Sequence, residues 1–358
     1  MGACNSSSTR VQGKPNSHQS PKVDNDKDQN QEKEQNQEEE ENKEIIYPNF
    51  SAFLQANENP QIYEWQFLEE IGKGAMSHVF LTKNSESGDI FAAKVYDKSK
   101  LLKQNLGTTE TMLDQVDNEI DIMAKCQNSY VLSLTEAIED DTTSSLIIIM
   151  PYASGSLQSL LDEKSIDDDR LAICFHQTAE ALRYLHSKNI IHRDIKPDNI
   201  LVFGENYFVL SDFSVSMELE SEDMLLEDTK GSPAFLSPEE CSGEKFNGKP
   251  ADVWAYGITL YSSLFGRLPF QLDSDQNCSI ANTVLHVTQM LSEQNLEFPP
   301  ERPIPKEVKD LLMGTLDKDP SKRLTFEQIV QNEWFKDAWE VDKMIQNPIE
   351  EEDLNEKG

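Results

Sequence analysis

The run His192-Arg193-Asp194-Ile195-Lys196-Pro197-Asp198-Asn199, followed 13 residues after Asn199 by Asp212-Phe213-Ser214, constrains this chain more than any other feature. Acid, base and amide side chains in so ordered a stretch point to a site rather than to a solvated surface. The rest of the chain has to hold that site in place. With 358 residues it is long enough for two or so structural units, and a hydrophobic content of 37% suffices for a packed interior.

The two halves differ in pattern. Phe67–Ile71 reads as a strand that ends at glycine, His78–Thr82 as the next and Ile90–Tyr96 as a third, with the turn cluster Asn84–Asp89 before the last. Met112, Val116, Ile120 and Met123 recur at helical spacing over 110–126, and Ser145–Met150 reads as a buried strand. After Pro151 the pattern turns helical. Leu171, Cys174, Phe175, Thr178, Leu182 and Leu185 share one face of 170–188. Further helices are expected over 251–265, 306–316 and 325–332, the last with Thr325 as N-cap. Residues 1–44 hold too few aliphatic side chains to offset their ordering entropy and are expected to be a disordered tail. Ile45, Ile46, Phe50, Phe53 and Leu54 suggest a short docking segment over 45–60, and 338–358 an acidic, frayed C-terminal tail.

Between the first two strands lies Ile71-Gly72-Lys73-Gly74-Ala75-Met76-Ser77-His78-Val79. Glycines let backbone amides approach phosphate oxygens closely, although two nearby glycines also mark simple hairpins. Lys94 sits inside an apolar strand, where it either snorkels to the surface or needs a counter-ion, because burying an unpaired ammonium is costly. Glu119 on the following helix is the natural partner.

Together, the glycine-rich turn, the strand lysine, the 192–199 run and the 212–214 triplet resemble the eukaryotic protein kinase family over about residues 65 to 336. The resemblance implies an α+β, bilobal protein kinase fold: a small antiparallel β-sheet lobe with one main helix over 61–150 and a larger, mostly helical lobe over 151–337. It implies ATP and Mg2+ between them. Asp194 would then accept the substrate hydroxyl proton and Lys196 would neutralise charge on the transferring group. Asn199 and Asp212 would hold magnesium. Ile71, Gly72, Lys73, Gly74, Ala75, Val79 and Lys94 with Glu119 would embrace the nucleotide, Met150 would border the adenine pocket, and Tyr152 and Ala153 would form the hinge. His192 is expected to pack beneath the loop with Phe213 and Met123 rather than act as a base.

Lys196, two residues after Asp194, and Gly231-Ser232-Pro233-Ala234-Phe235 resemble the serine/threonine subclass, acting on protein substrates. By the same resemblance Ser232 bonds to Asp194 and Lys196, Glu239 pairs with Arg323, and Asp252 braces the catalytic loop. The 231–235 segment, the long stretch from Lys94 to Glu119 and Asn332-Glu333-Trp334-Phe335 resemble the calcium/calmodulin-dependent kinase kinases and related upstream kinases. Residues 337–358 are acidic and too short for their basic calmodulin-binding helix, which argues against calmodulin control. Where arginine-directed relatives carry acids, this chain has Leu157 and Ser262, so a simple preference for arginine is not expected.

Three serines depart from the family pattern: Ser77, Ser214 and Ser237. They carry the rival reading, a membrane-tethered pseudokinase scaffold. Ser214 replaces a glycine and is expected to stiffen the segment that follows Asp212. Asp228, three residues before Gly231, is expected to offer Arg193 the anion that an activation-loop phosphate supplies in similar kinases, with Thr229 still a candidate phosphosite.

The formal charge of −33 would repel a phosphate backbone, so nucleic acid is excluded as a partner. Five cysteines are widely spaced without a CxxC pair, which supports neither a disulfide framework nor a zinc site and fits a reducing, cytoplasmic setting. No apolar run is long enough to span a membrane. Met1-Gly2-Ala3-Cys4-Asn5-Ser6 matches the N-myristoylation pattern on Gly2, with Cys4 available for palmitate. One acyl chain binds marginally and two bind stably, so peripheral attachment to the cytoplasmic face of a membrane is expected to use both.

Overall fold

The computed structural model describes residues 45–74, 76–102, 111–270 and 294–346. Expectations for the 1–44 tail, Gly2, Cys4, Ala75 and 347–358 therefore fall outside the described residues.

Residues 45–60 begin with α1 (Phe50–Ala56), capped by the Asn49 side chain, which accepts from Ala52 N at 2.9 Å. Phe50 and Phe53 pack with Phe67 and Phe80 of the sheet. From Phe50 on, the segment thus packs on the small lobe, and Ile45 and Ile46 are 69% and 78% exposed. The sheet comprises β1 (Gln61–Ile62), β2 (Trp65–Lys73), β3 (Ser77–Asn84), β4 (Ile90–Asp97), then, after the short α2 (Lys98–Leu101) and α3 (Met112–Lys125), β5 (Glu136–Asp140) and β6 (Ser145–Pro151). Its order is β1-β2-β3-β4-β6-β5, with every neighbouring pair antiparallel. Register sets Lys94 opposite Val79 on one side and Ile148 on the other. β2 is bulged twice, between Phe67 and Glu70 and between Glu70 and Gly72. Bulges increase twist and re-aim a strand end, here the one leading into the glycine-rich turn.

A capping box starts α3: Thr111 Oγ1 accepts from Asp114 N, and Asp114 Oδ2 accepts from Thr111 N. Its buried stripe, Val116, Glu119, Ile122 and Met123, faces the sheet and carries one acid into the core.

The large lobe follows. It holds β7 (Gly155–Ser156), α4 (Leu157–Asp162), α5 (Asp168–Ser187), β8 (Ile190–Ile191), β9 (Ile200–Val202), β10 (Phe208–Leu210), β11 (Met217–Glu218), α6 (Gly248–Phe265), α7 (Lys306–Thr315), α8 (Phe326–Ile329) and α9 (Lys336–Gln346). α5 and α6 are buried on nearly all sides, as befits central helices of a large core. α6 ends at Gly266, whose φ of 65° is the left-handed cap that glycine adopts without penalty.

One boundary is corrected. Residues 338–346 are not a frayed tail but most of α9, which packs on α5. Ala338 and Asp342 are buried, and Asp342 accepts hydrogen bonds from His176 and, at 2.9 Å, from Gln177. A buried acid satisfied by partners from a distant helix looks the same in sequence as a solvated one.

Candidate active site

The 192–199 run connects β8 to β9 and is held from below by Asp252 on α6. That carboxylate, 1% exposed, accepts from His192 N at 2.9 Å, Arg193 N at 2.8 Å and His186 Nε2 at 2.9 Å. Burial raises its carboxyl, but the His186 hydrogen bond and the charges around it hold it below the usual carboxylate range. Arg193 has a φ of 68° and Asp212 a φ of 65°, both left-handed. Non-glycine residues persist there only where surroundings over-determine them, and such strain gathers at functional sites. Both histidine nitrogens of His192 are committed: Nε2 donates to Ser211 O at 2.9 Å, and Nδ1 accepts from Asp194 N at 3.3 Å. Its ring lies 5.3 Å from that of Phe213. His192 is thus a structural brace, as expected.

Asp194 is the hub. Its Oδ2 accepts from Lys196 Nζ at 2.6 Å and Asn199 Nδ2 at 3.1 Å, and its Oδ1 from Ser232 N at 2.9 Å. Lys196 also reaches Ser232 Oγ at 3.0 Å. Asn199 Nδ2 donates again to Asp194 O at 2.8 Å, which leaves its acceptor oxygen for another ligand. Gly231 lets this segment come so close. At its φ of 97°, a Cβ would sit 2.2 Å from Arg193 O.

Lys94 is 18% exposed and bonds Glu119 Oε1 at 2.7 Å, with Asp212 Oδ1 at 3.6 Å. Burial alone would lower its ammonium, but Glu119, Tyr96 and Asp212 outweigh this and hold it well above the ordinary lysine value. Tyr96, two positions along the same strand and so on the same face, donates to Glu119 Oε2 at 3.1 Å. The sequence reading passed over Tyr96, although its period-two relation to Lys94 was the signal. It also missed Asn118, whose Nδ2 donates to Ser216 O at 2.8 Å and ties α3 to the segment after Asp212. Lys125 pairs with Glu218 at 2.7 Å and does the same about two turns further on.

The remaining assigned residues bracket this core. Gly72 and Val79 face each other across the β2–β3 turn, and Gly74 N donates to Ser77 O at 2.8 Å. Ile71, Lys73 and Gly74 are exposed on that turn. Met150 closes β6 opposite Ala92 and is buried, whereas Tyr152 and Ala153 form the link that follows, Tyr152 being exposed. Arg323 forks onto Glu239 with bonds of 2.6 and 2.7 Å, a geometry suited to a carboxylate.

All three departing serines fit. Ser77, Ser214 and Ser237 have no positive φ. Ser214 gives Asp212 a side-chain hydrogen bond that glycine cannot, and Ser237 Oγ donates to Glu240 Oε2 at 2.8 Å.

A divalent cation fits Asn199 and Asp212. Among the described residues Asp212 Oδ1 is buried without a hydrogen-bond partner, and the Lys94 ammonium lies 3.6 Å from it. Burial raises the Asp212 carboxyl, but Lys94 and the Ser214 bond bring it below the usual range, so it stays an anion. An amide oxygen and one carboxylate are hard ligands suited to magnesium, and they leave most of its coordination shell to water and phosphate oxygens.

A buried acid held by lysine and asparagine, a paired strand lysine and an amide–carboxylate pair suited to a hard cation, beside an antiparallel sheet, are the parts of a phosphotransferase site. The protein kinase domain model matches residues 65–335, and the chain belongs to that family. It is 32% identical over 295 residues to the calcium/calmodulin-dependent protein kinase kinase of Caenorhabditis elegans, 76% of this chain and 53% of the relative. It is 31% identical over 284 residues to serine/threonine-protein kinase GRIK2 of Arabidopsis thaliana, 78% of this chain and 67% of that protein. CBL-interacting protein kinase 5 of Oryza sativa is 30% identical over 289 residues, 80% of this chain and 59% of the relative. The chain thus spans half to two thirds of the length of these proteins.

Proposed function

We propose that the chain is an active serine/threonine protein kinase that transfers the γ-phosphoryl group of Mg-ATP to protein hydroxyls, and that it works as an upstream kinase on other kinases. The observation that carries this is the state of Asp194: it is buried and held by Lys196, Asn199 and Ser232, while Lys94 and Glu119 are already paired. Asp194 would orient the incoming hydroxyl and take up its proton. Lys196 would stabilise charge beside it, and Lys94, fixed by Glu119, would hold the phosphate tail. Magnesium, when bound by Asn199 and Asp212, supplies charge neutralisation at the phosphates. Positioning and preset electrostatics do most of the work in such a site. Incubating the full chain with γ-labelled ATP and a generic protein substrate, followed by phosphoamino-acid analysis, tests it. Label on serine or threonine is expected. Label confined to tyrosine, or none, overturns the proposal.

The similarity to a kinase kinase supports the upstream role, and the acidic composition of 337–358 favours control without calmodulin. The N-terminal Gly2 and Cys4 further suggest a doubly acylated protein at the cytoplasmic face of a membrane. A Gly2→Ala protein that partitions with membranes as well as the parent would contradict that part.

A further inference from the structure

Beside the catalytic loop the large lobe carries a cavity of about 760 Å³. Its apolar lining includes Leu161, Ile166, Leu171, Pro197, Phe235 and Phe265. Two of these lead straight back to the reacting groups. Pro197 follows Lys196, and Phe235 lies three residues after Ser232, whose Oγ receives the Lys196 bond. The cavity is therefore lined by residues that adjoin the Lys196 and Ser232 segments in the chain.

Its charge runs against that of the chain. Lys164, Arg267 and Arg302 line it, against one acid, Asp162. Arg302 is already paired with Asp168, and Asp162 accepts from Gln158 Nε2 at 2.8 Å. Lys164 and Arg267 are exposed and make no ion pair among the described residues, while Arg267 hydrogen-bonds the Tyr261 side chain. Lys164 is presented by a left-handed turn, φ 54°, just past α4. Ser262 and Ser263 line the wall with uncharged hydroxyls, and Leu157 is fully buried, so no carboxylate at these positions meets a basic substrate. In a protein of net charge −33, two exposed cations without an ion pair among the described residues, over an apolar floor, form a local exception.

We propose that this cavity sets sequence preference: it receives a large apolar side chain close to the phosphorylated serine or threonine, with neighbouring carboxylates of the substrate drawn to Lys164 and Arg267. The inference rests on the kinase reading and assigns its substrate class, acidic segments with an apolar anchor. An apolar pocket beside opposite charges rewards such a segment twice, by burial and by attraction, and rejects lysine-rich ones by like-charge repulsion.

The full chain, γ-labelled ATP and a positional peptide library with fixed serine or threonine test it. Leucine or phenylalanine should be selected over alanine at one position near the acceptor. Glutamate should exceed lysine beside it in kcat/KM by about tenfold, the scale of two exposed charge contacts. The Lys164→Glu/Arg267→Glu protein should invert the glutamate-to-lysine ratio, and the Lys164→Gln/Arg267→Gln protein should flatten it. Labelling by the parent without an apolar or acidic preference, or a ratio that the reversal leaves unchanged, overturns the inference while the kinase reading stands. No label on any peptide, with no ATP turnover, overturns both.

Discussion

Replacing Asp228 by asparagine removes an anion from the activation segment without altering its shape. Arg193 Nη2 donates to Asp228 Oδ1 at 3.0 Å and to Asp228 O at 2.8 Å, while its Nε and Nη1 are buried without a partner among the described residues. An ion pair whose acid is 47% exposed contributes about 1 kcal/mol. The guanidinium is only 3% exposed, and leaving it without a charged acceptor adds about 1–3 kcal/mol. The carbonyl contact survives the substitution and favours the low half of that range. A loss of about 2–3 kcal/mol, at about 1.4 kcal/mol per tenfold, shifts the order–disorder equilibrium of the segment about thirty- to a hundredfold. Turnover by protein shown by mass spectrometry to be unphosphorylated should fall at least about fivefold and at most about a hundredfold, depending on how far the parent equilibrium lies toward order. Burial raises the Asp228 carboxyl, but Arg193 and Lys230 hold it below the ordinary carboxylate range. The contribution is therefore present above about pH 4 and fades as the pH falls below that. Unchanged turnover in the unphosphorylated Asp228→Asn protein would refute the idea that this carboxylate stands in for a phosphate.

Gly231→Ala should abolish most transfer with the fold retained by circular dichroism, because its Cβ would lie 2.2 Å from Arg193 O and a left-handed φ alone costs about 1–3 kcal/mol. Burial pushes the Glu240 carboxyl up to about 7, against the lowering effect of its bonds from Ser237. The folded state thus binds the extra proton, and stability should decline as pH rises from the unfolded value toward 7; Glu240→Gln should raise stability at pH 8 by about 1–3 kcal/mol and leave it unchanged at pH 4, read by denaturant titration. Asp342→Ala leaves His176 and Gln177 without their shared acceptor and should cost about 2–4 kcal/mol, a fall in Tm of about 4–10 °C in thermal denaturation.

The sequence disclosed most where a residue's task is local. The strands flanking Lys94, the stripe of α3 and the order of the catalytic residues all follow from spacing, and the structure joins Lys94 to Glu119, Ser232 to Asp194 and Lys196, and Glu239 to Arg323 as expected. What stayed hidden depends on partners far along the chain. β5 offers only Ala137 and Ile138 among acids, and becomes a strand because β6 supplies its hydrogen bonds. Its Glu136 also accepts from Trp65 Nε1 at 2.7 Å, across 71 residues. α9 was misjudged because Asp342 is neutralised by hydrogen bonds from α5. At 325–332 capping by Gln328 sets only one turn, α8, before the chain bends into Asn332. In the site, Asn118 escaped notice because its bond to Ser216 crosses 98 residues.

The central claim is that Asp194 takes part in phosphoryl transfer rather than in holding nucleotide. Among the described residues its carboxylate bonds catalytic-loop and 231–235 groups, whereas Lys94 and Asp212 stand at the cation end. The direct measurement is single-turnover transfer from γ-labelled ATP by the parent and the Asp194→Asn protein, with Mg-ATP affinity of each determined by fluorescence titration. The account predicts nearly equal affinities and a transfer rate lower by about 10²–10⁴ in the variant, the usual share of a positioned base. Equal transfer rates at equal affinity would contradict it.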